Sequence, residues 1–140
     1  MSIYLDNSVV VPFFLPDAFN ARAEAFLLSG PAGLVLSDFV RTEFASVVGL
    51  RVRTKEIGRS EARAAFSNFD VWSKKRITAV QIDPIDIEVA EGWLRRLDLT
   101  LRAPDAINLA VAKRLGATLA TFDNKMASCA TTLGLPLIKI

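Results

Sequence analysis

Short apolar segments alternate with longer amphipathic segments along the whole chain. Each apolar segment is three to five residues long, as expected of strands that are buried on both faces. The predicted strands are 3–5, 34–36, 78–82, 118–121 and 137–140. Strands of this kind, separated by helices, are typical of a parallel sheet that carries helices on both faces. We therefore expect an α/β fold, specifically a three-layer α/β/α sandwich with a mainly parallel central sheet.

The segments between the strands predict helices whose ends carry capping residues. Ser37 or Asp38 can cap the helix after the second strand, and Asp83 is an N-cap followed by proline at the first helical position. Gly58 and Gly116 each follow the end of a helix. The predicted helices cover about 17–28, 38–57, 60–75, 84–97, 104–115 and 125–133, with a short helix or turn over 7–15. No linker or repeat interrupts this pattern, so residues 1–140 are expected to form a single domain.

The chain contains no histidine, and this absence excludes several classes of enzyme. Nucleophilic systems of the Ser-His-Asp and Cys-His types need an imidazole as their base. A catalytic base in this chain would have to be a carboxylate, a lysine or a metal-bound hydroxide.

The composition favours a cytoplasmic protein that is not attached to a membrane. No apolar run reaches the 18–20 residues, roughly, that a membrane-spanning helix needs, and the first residues lack the basic start of a signal peptide. A single cysteine cannot form an internal disulfide, which fits a reducing compartment. The hydrophobic fraction of 51% predicts a fully buried sheet, a surface covered by a partner or second copy, or both.

The positive charge is concentrated in one stretch of the chain, although the net charge is only +2. Five of the seventeen basic residues are Arg51, Arg53, Lys55, Arg59 and Arg63. Such a stretch is typical of a solvated helix surface, and it is also what an RNA backbone would contact. The sequence leaves both interpretations open.

Four acidic residues lie where the predicted fold would bring them together. Asp6 and Asp123 each follow a strand, and functional groups collect beyond the carboxyl ends of parallel strands. Glu43 shares the apolar face of its helix, and Asp105 lies in the first turn of another helix. Each has an ordinary explanation: a turn residue, an ion pair with Arg41 or Arg63, a first-turn acid or an N-cap. Four such acids at one end of a sheet are a less probable coincidence.

Acids gathered in this way would need a cation. Two carboxylates about 4 Å apart repel by about 4 kcal/mol at an effective dielectric constant of about 20, which is a large part of the stability of a domain. Oxygen ligands without histidine or cysteine select Mg²⁺ or Mn²⁺ rather than Zn²⁺.

Four segments of the chain resemble the PIN-domain nucleases, and among them the VapC-type toxins of bacterial toxin–antitoxin pairs. They are IYLDNSVVV at the start, LSDFVRTEF, LRAPDAINLAVAKRLGATLATFD and the terminal LGLPLIKI. The combination of L-D, R-T-E-F, A-P-D-A-I and T-F-D is fairly specific, whereas each motif alone is weak. The segments span nearly the whole chain.

The resemblance implies a function and a site. The protein would be a Mg²⁺- or Mn²⁺-dependent endoribonuclease that cleaves RNA phosphodiester bonds with metal-activated water. Asp6, Glu43, Asp105 and Asp123 would be the catalytic and metal-binding residues. Ser8, Asn108, Thr121 and Asn124 would position the acids without binding the metal. Ser8 matches a hydroxyl that the family often has after the first acid, and Thr121 and Asn124 flank Asp123 and would orient it through hydrogen bonds. The family more often has histidine at the position of Asn108 and threonine or serine at that of Asn7. A cognate antitoxin and a homodimer are also implied.

Three other functions agree less well with these residues. A haloacid-dehalogenase-like phosphatase would need a second aspartate where this chain has Ser8, and a response-regulator receiver would need an acidic pair near the first strand. A catalytically inactive PIN-like RNA-binding protein would be expected to have lost at least one of the four acids.

Overall fold

The computed structural model describes all 140 residues as four strands and seven helices. Their order is β1 (Ile3–Leu5), α1 (Asn7–Phe14), α2 (Asn20–Leu28), β2 (Leu34–Ser37), α3 (Asp38–Arg53), α4 (Arg59–Arg76), β3 (Thr78–Val80), α5 (Pro84–Arg95), α6 (Ala103–Arg114), β4 (Thr118–Ala120) and α7 (Asn124–Thr132).

The four strands form one parallel sheet in the order β3-β2-β1-β4. The chain builds the sheet outward from β1 through β2 to β3, and then returns to the other side of β1 with β4. The strand order therefore reverses between β1 and β4. In open parallel sheets, the crevice at such a reversal is where ligands bind.

The helices pack in two groups around the sheet. Helices α1 to α4 contact one another, and α5 packs along α6, which also contacts β4. Every residue of β1 and β2 is buried. Tyr4, Leu36 and Leu119 lie in the centre of the core and are at most 1% exposed. The predicted α/β/α sandwich with a parallel sheet is confirmed.

The prediction of a last strand over residues 137–140 is wrong. Only Leu137 pairs with the sheet, through one parallel bridge to Leu119. Pro136 has no N–H to donate and contributes only its carbonyl oxygen, which accepts from the Leu119 N–H at 2.9 Å. Beyond the bridge the chain leaves the sheet, and Arg22 donates to the main-chain oxygen of Ile140.

Several other predicted elements are shorter than expected: α3 ends at Arg53 rather than near 57, and α5 ends at Arg95 rather than 97. Helix α2 begins at Asn20 rather than near 17, because the Asp17 carboxylate accepts the N–H of Phe19 and holds this segment in a turn. Strand β3 ends at Val80 rather than 82. Here Asp38 accepts the N–H of Ile82, which ties the departing chain to the start of α3.

No helix of the structure has the length and apolar character needed to cross a membrane.

A buried ion pair joins α5 to α6. Asp86 is 1% exposed, and its carboxylate accepts from Nε and Nη2 of Arg114 at 2.9 and 3.0 Å. The same Arg114 donates to the carbonyl oxygen of Gln81 after β3. This pair fixes α6, which carries two of the residues in the site described below.

Replacing Arg114 with methionine should destabilise the fold, because it leaves the Asp86 carboxylate buried without its partner. We expect a loss of about 3 kcal/mol in the free energy of unfolding, measured by urea denaturation. The matched control is Arg95→Met, which removes the exposed pair with Glu91 and should cost about 0.5 kcal/mol or less. Equal losses in the two variants would contradict the role given to Arg114.

Candidate active site

Asp6 directly follows β1 and lies at the point where the strand order reverses. It is the N-cap of α1: its Oδ1 accepts the N–H and the hydroxyl of Ser8 at 2.8 and 2.5 Å. Its Oδ2 accepts the hydroxyl of Thr121 at 2.7 Å. The side chain is only 5% exposed, so a carboxylate at the end of the central strand is held by three donors in a nearly dry environment.

The same hydroxyls connect Asp6 to the end of β4. Ser8 Oγ accepts the N–H of Phe122 at 2.8 Å, and Thr121 Oγ1 accepts the N–H of Asp123 at 3.0 Å. Each hydroxyl thus donates to Asp6 and accepts from the chain that carries Asp123. This exchange sets the position of one acid relative to the other.

Glu43 projects from the second turn of α3 and is half-buried. Its Oε1 accepts Nδ2 of Asn108 at 2.8 Å. Asn108 is 3% exposed, and its Oδ1 accepts the hydroxyl of Tyr4 at 2.7 Å. The Tyr4 hydroxyl also lies 2.7 Å from Oγ of Ser37. A buried chain of hydrogen bonds therefore runs from β1 through α6 to Glu43.

Asp105 and Asp123 line one cavity together, beside Arg102 and Lys125. Asp105 lies in the first turn of α6. Asp123 is the N-cap of α7, where Oδ1 accepts the N–H groups of Lys125 and Met126 at 2.9 and 3.0 Å. Its Oδ2 makes no hydrogen bond within the protein, so this oxygen remains available although the residue is also a cap.

The four acids interact through their charges and through burial. Burial raises the pKa of Asp6 to about 6, against the opposing effect of its hydrogen bonds, and the charge of Asp123 raises it further. Burial is also the largest cause of the raised pKa of Glu43, to which the charges of Asp6 and Asp105 add. The pKa of Asp105 is raised by burial and by the charge of Asp123.

The carboxylates share one electrostatic environment without forming a ready-made ligand set. No three of them are close enough to hold a metal ion in their present rotamers. Only Asp105 has an arginine nearby, with Nε of the exposed Arg102 at 4.0 Å. A pair at this distance and exposure contributes little. The cluster of negative charge is therefore not neutralised by the protein itself.

The alternative ion pairs considered for Glu43 do not form. Arg41 instead donates to Ser73, approaches Asp70 to 3.5 Å and lies over the ring of Phe69. Arg63 is exposed on α4.

Two asparagines next to the acids lack hydrogen bonds that their positions would allow. Asn124 makes no hydrogen bond to Asp123, so its predicted contact with that acid is wrong; its side chain instead lines a cavity beside Phe122. Asn7 holds a buried Oδ1 with no hydrogen-bond partner, directly after Asp6. It is the only buried side-chain polar atom of the chain in this condition.

The basic stretch lies at the connection between α3 and α4. Arg53, Lys55, Arg59 and Arg63 are exposed there. Arg51 is different: its guanidinium donates to the Pro16 carbonyl and pairs with Asp17 at 3.2 Å, and its side chain is 18% exposed. Because these contacts join α3 to the chain after α1, Arg51 is not a free contact for RNA, and that prediction is corrected. Arg53 is ten residues from Glu43, about 15 Å along the helix.

A family model for the PIN domain matches residues 3–131 of the chain. The chain belongs to the PIN-domain family. The match covers the four acids, the hydroxyls of Ser8 and Thr121 and the buried Asn108. The resemblance that the sequence motifs predicted is confirmed.

The relatives of this PIN domain include VapC proteins. It is 29% identical over 140 residues to Ribonuclease VapC46 of Mycobacterium tuberculosis, covering 98% of this chain and 96% of that protein. The crystal structure of M. tuberculosis VapC20, a sarcin–ricin loop cleaving toxin, superposes with a TM-score of 0.77 at 22% identity, covering 99% and 100% of the two chains. The crystal structure of FitAcB from Neisseria gonorrhoeae superposes with a TM-score of 0.73 at 19% identity, covering 98% of this chain and 96% of that chain. These two structures share the fold.

Tyr4 is the residue of this PIN-domain site that sequence reasoning missed. A tyrosine in a three-residue strand resembles an ordinary core residue. The available signal was its hydroxyl: a buried tyrosine needs a hydrogen-bond partner, and a strand buried on both faces offers only side chains from neighbouring elements, here Ser37 and Asn108.

Replacing Asp6 with asparagine should stabilise the protein at neutral pH. The folded pKa of about 6 lies above the ordinary value of 3.8, so the charged form is disfavoured by folding. The ionised carboxylate therefore lowers the free energy of unfolding; this destabilisation is fully present above pH 6 and disappears as the pH falls towards 4. With EDTA present, we expect Asp6→Asn to raise the free energy of unfolding by about 1–3 kcal/mol at pH 7.5 and to change it little at pH 4. Guanidinium denaturation measures both values. Glu88→Gln, exposed on α5, is the control. A less stable Asp6→Asn at pH 7.5 would mean that Asp6 is a structural residue.

Proposed function

We propose that this protein is a Mg²⁺- or Mn²⁺-dependent endoribonuclease and the toxin of a toxin–antitoxin pair. The observation that carries the proposal is the set of four acids at the reversal of strand order, coupled through their charges and not neutralised by basic residues. The name of the curated relative, Ribonuclease VapC46, supports the same reaction.

The acids fit a hard divalent cation. Their ligand atoms are all oxygens, and such sites select Mg²⁺ or Mn²⁺. The unpartnered amide oxygen of Asn7 adds an oxygen next to Asp6, and Oδ2 of Asp123 is free of internal hydrogen bonds. A bound cation would offset the repulsion among the acids, stabilise charge on the phosphate and acidify a coordinated water.

Side chains around the acids would orient two of the carboxylates for this chemistry. Ser8 and Thr121 hold the Asp6 carboxylate in a single rotamer, because both of its oxygens accept hydrogen bonds. Asn108 holds Glu43 through Nδ2, and Tyr4 determines which end of the Asn108 amide faces Glu43. Buried hydrogen-bond partners of this kind hold metal ligands in the orientation that binding needs.

The exposed part of the basic stretch is the proposed contact for the RNA backbone. Arg53 is the last residue of α3, the helix that carries Glu43 in its second turn. Lys55 lies in the α3–α4 connection, and Arg59 and Arg63 lie in the first turns of α4. Phosphates need no base-specific contact there, only positive charge.

A cognate antitoxin and a second copy of the chain are the proposed partners. Similar folds include a toxin–antitoxin complex from Klebsiella pneumoniae and VapBC2 of Rickettsia felis bound to a DNA fragment from its promoter. On this chain, Leu50 of α3 and Val71 of α4 are about half exposed and would be covered by such a partner. A catalytically inactive RNA-binding relative is not supported, since none of the four acids is missing.

The nuclease proposal predicts that cleavage needs both the acids and the metal. We expect purified protein to cleave single-stranded RNA with Mg²⁺ or Mn²⁺ and to lose activity in EDTA. Asp6→Asn, Glu43→Gln, Asp105→Asn and Asp123→Asn should each lower the rate by about 100-fold or more. Asp123→Asn is the sharpest variant, because asparagine caps helices as well as aspartate does. Asp70→Asn, exposed on α4, is the control. Cleavage that persists in Asp123→Asn would refute the assignment.

The RNA contact predicts a dependence on salt. In the uncleaving Asp6→Asn background, replacing Arg59 and Arg63 together with glutamine should weaken RNA binding and reduce the slope of log K against log salt by about 1.4. The paired control replaces Lys74 and Lys75, which are exposed near the other end of α4. An unchanged slope in the first variant would remove α4 from the proposed RNA surface.

A further inference from the structure

An open cavity of 570 Å³ is lined by none of the four acids, although it shares Thr121 with the site described above. Two phenylalanines, two cations, an amide and an aliphatic side chain account for much of its lining: Phe19, Phe122, Arg22, Lys139, Asn124 and Ile138. The volume falls within the usual range for small-molecule sites. A mainly apolar lining with a few polar groups at its edge would accept a flat, partly polar ring.

The two phenylalanines form a stacked pair. Their ring centroids are 4.9 Å apart and their planes differ by 11°. The guanidinium of Arg22 lies 4.8 Å from the Phe122 centroid and 5.4 Å from that of Phe19. Phe19 is 38% exposed. The stack therefore includes a ring that solvent reaches, with a cation beside it.

The cavity and the acidic site meet at one short segment. Residues 121–125 leave β4 and enter α7. Phe122 and Asn124 line this cavity, whereas Asp123 and Lys125 line the cavity that contains Asp105. Because consecutive Cα atoms are only about 3.8 Å apart, a nucleotide whose phosphate lies at Asp123 has its neighbour within reach of the Phe19–Phe122 stack.

We propose that this cavity is a subsite for an unpaired nucleobase of the RNA, next to the phosphate that is cleaved. The base stacks on the exposed face of Phe19, and Arg22 and Lys139 contact the adjoining phosphate. The proposal rests on the nuclease function proposed above. It assigns to Phe19, Arg22 and Lys139 a role in holding the substrate, separate from the acids that hold the metal.

The chemistry of the cavity favours RNA over other ligands. Proteins recognise single-stranded RNA by stacking splayed bases on aromatic rings and arginine planes. The adjoining cations suit a chain of phosphates: Arg22 and Lys139 line the cavity, no Asp or Glu does, and Arg22 is positioned by its bond to the main-chain oxygen of Ile140. Stacking tolerates every base because each has a π-face, so the subsite positions RNA and contributes little to sequence choice.

The test measures RNA binding by fluorescence anisotropy in the Asp6→Asn background. A short unstructured RNA of mixed sequence is compared with its abasic ribose-phosphate counterpart. We expect Phe19→Ala and Phe19→Leu to weaken binding of the normal RNA by about fivefold or more, and to leave the abasic RNA unchanged. Phe19→Trp should keep the affinity. Leucine preserves the apolar volume, so a loss in that variant reflects the missing π-face rather than misfolding.

Two further variants complete the test. Leu97→Ala, at a side chain that is 90% exposed away from the cavity, is the control and should bind both RNAs normally. Arg22→Gln should weaken binding of both RNAs and reduce the slope of log K against log salt by about 0.7. Normal binding by both Phe19→Ala and Phe19→Leu would overturn the subsite, as would equal weakening for normal and abasic RNA.

Cleavage by the unmodified chain separates the two proposals. If the protein with all four acids cleaves the same RNA while Phe19→Leu binds it normally, the nuclease function stands and the subsite is refuted. If the protein does not cleave RNA in Mg²⁺ or Mn²⁺, the nuclease function fails, and the subsite fails with it.

Discussion

Burial of the Asp6 carboxylate is the constraint that the rest of the site depends on. An ionised group that is 5% exposed would be costly without compensation. The protein provides three hydrogen-bond donors from Ser8 and Thr121, yet the pKa of Asp6 remains raised because burial removes the carboxylate from water, and the charge of Asp123 adds a smaller contribution. The hydrogen bonds thus fix where the carboxylate lies, and the remaining electrostatic cost is available to be relieved by a cation.

The parallel sheet makes this arrangement possible. Because β4 returns to the side of β1 away from β2, the ends of β1 and β4 are neighbours, and Asp6 and Asp123 come together although they are far apart in sequence. The two remaining acids arrive on helices that start near the same edge. Each is held by a different device: Glu43 by a hydrogen-bond chain through the core, Asp105 by the first turn of α6.

The sequence was sufficient to predict the four parallel strands, the helices and the places of the four acids in them, because these depend on local patterns. Short apolar runs mark the strands, and an acid after a strand is conspicuous. It was insufficient wherever the outcome depends on contacts between distant segments. The pairing of Arg51 with Asp17, the single bridge made by Leu137 and the Tyr4–Asn108 bond all join residues that no local pattern relates. Arg51 in particular belongs to a basic run yet serves an internal contact.

The segment after β4 shows how one short piece of chain can serve two functions. Thr121 bonds to Asp6 and Asp123 is one of the four acids, while the intervening Phe122 ring stacks on Phe19. The N–H groups of Phe122 and Asp123 are both held by hydroxyls of the acidic site. Any shift of this segment would move the acids and the aromatic stack together, so a substrate that engaged the stack would be positioned relative to the acids by the same hydrogen bonds that hold Asp6.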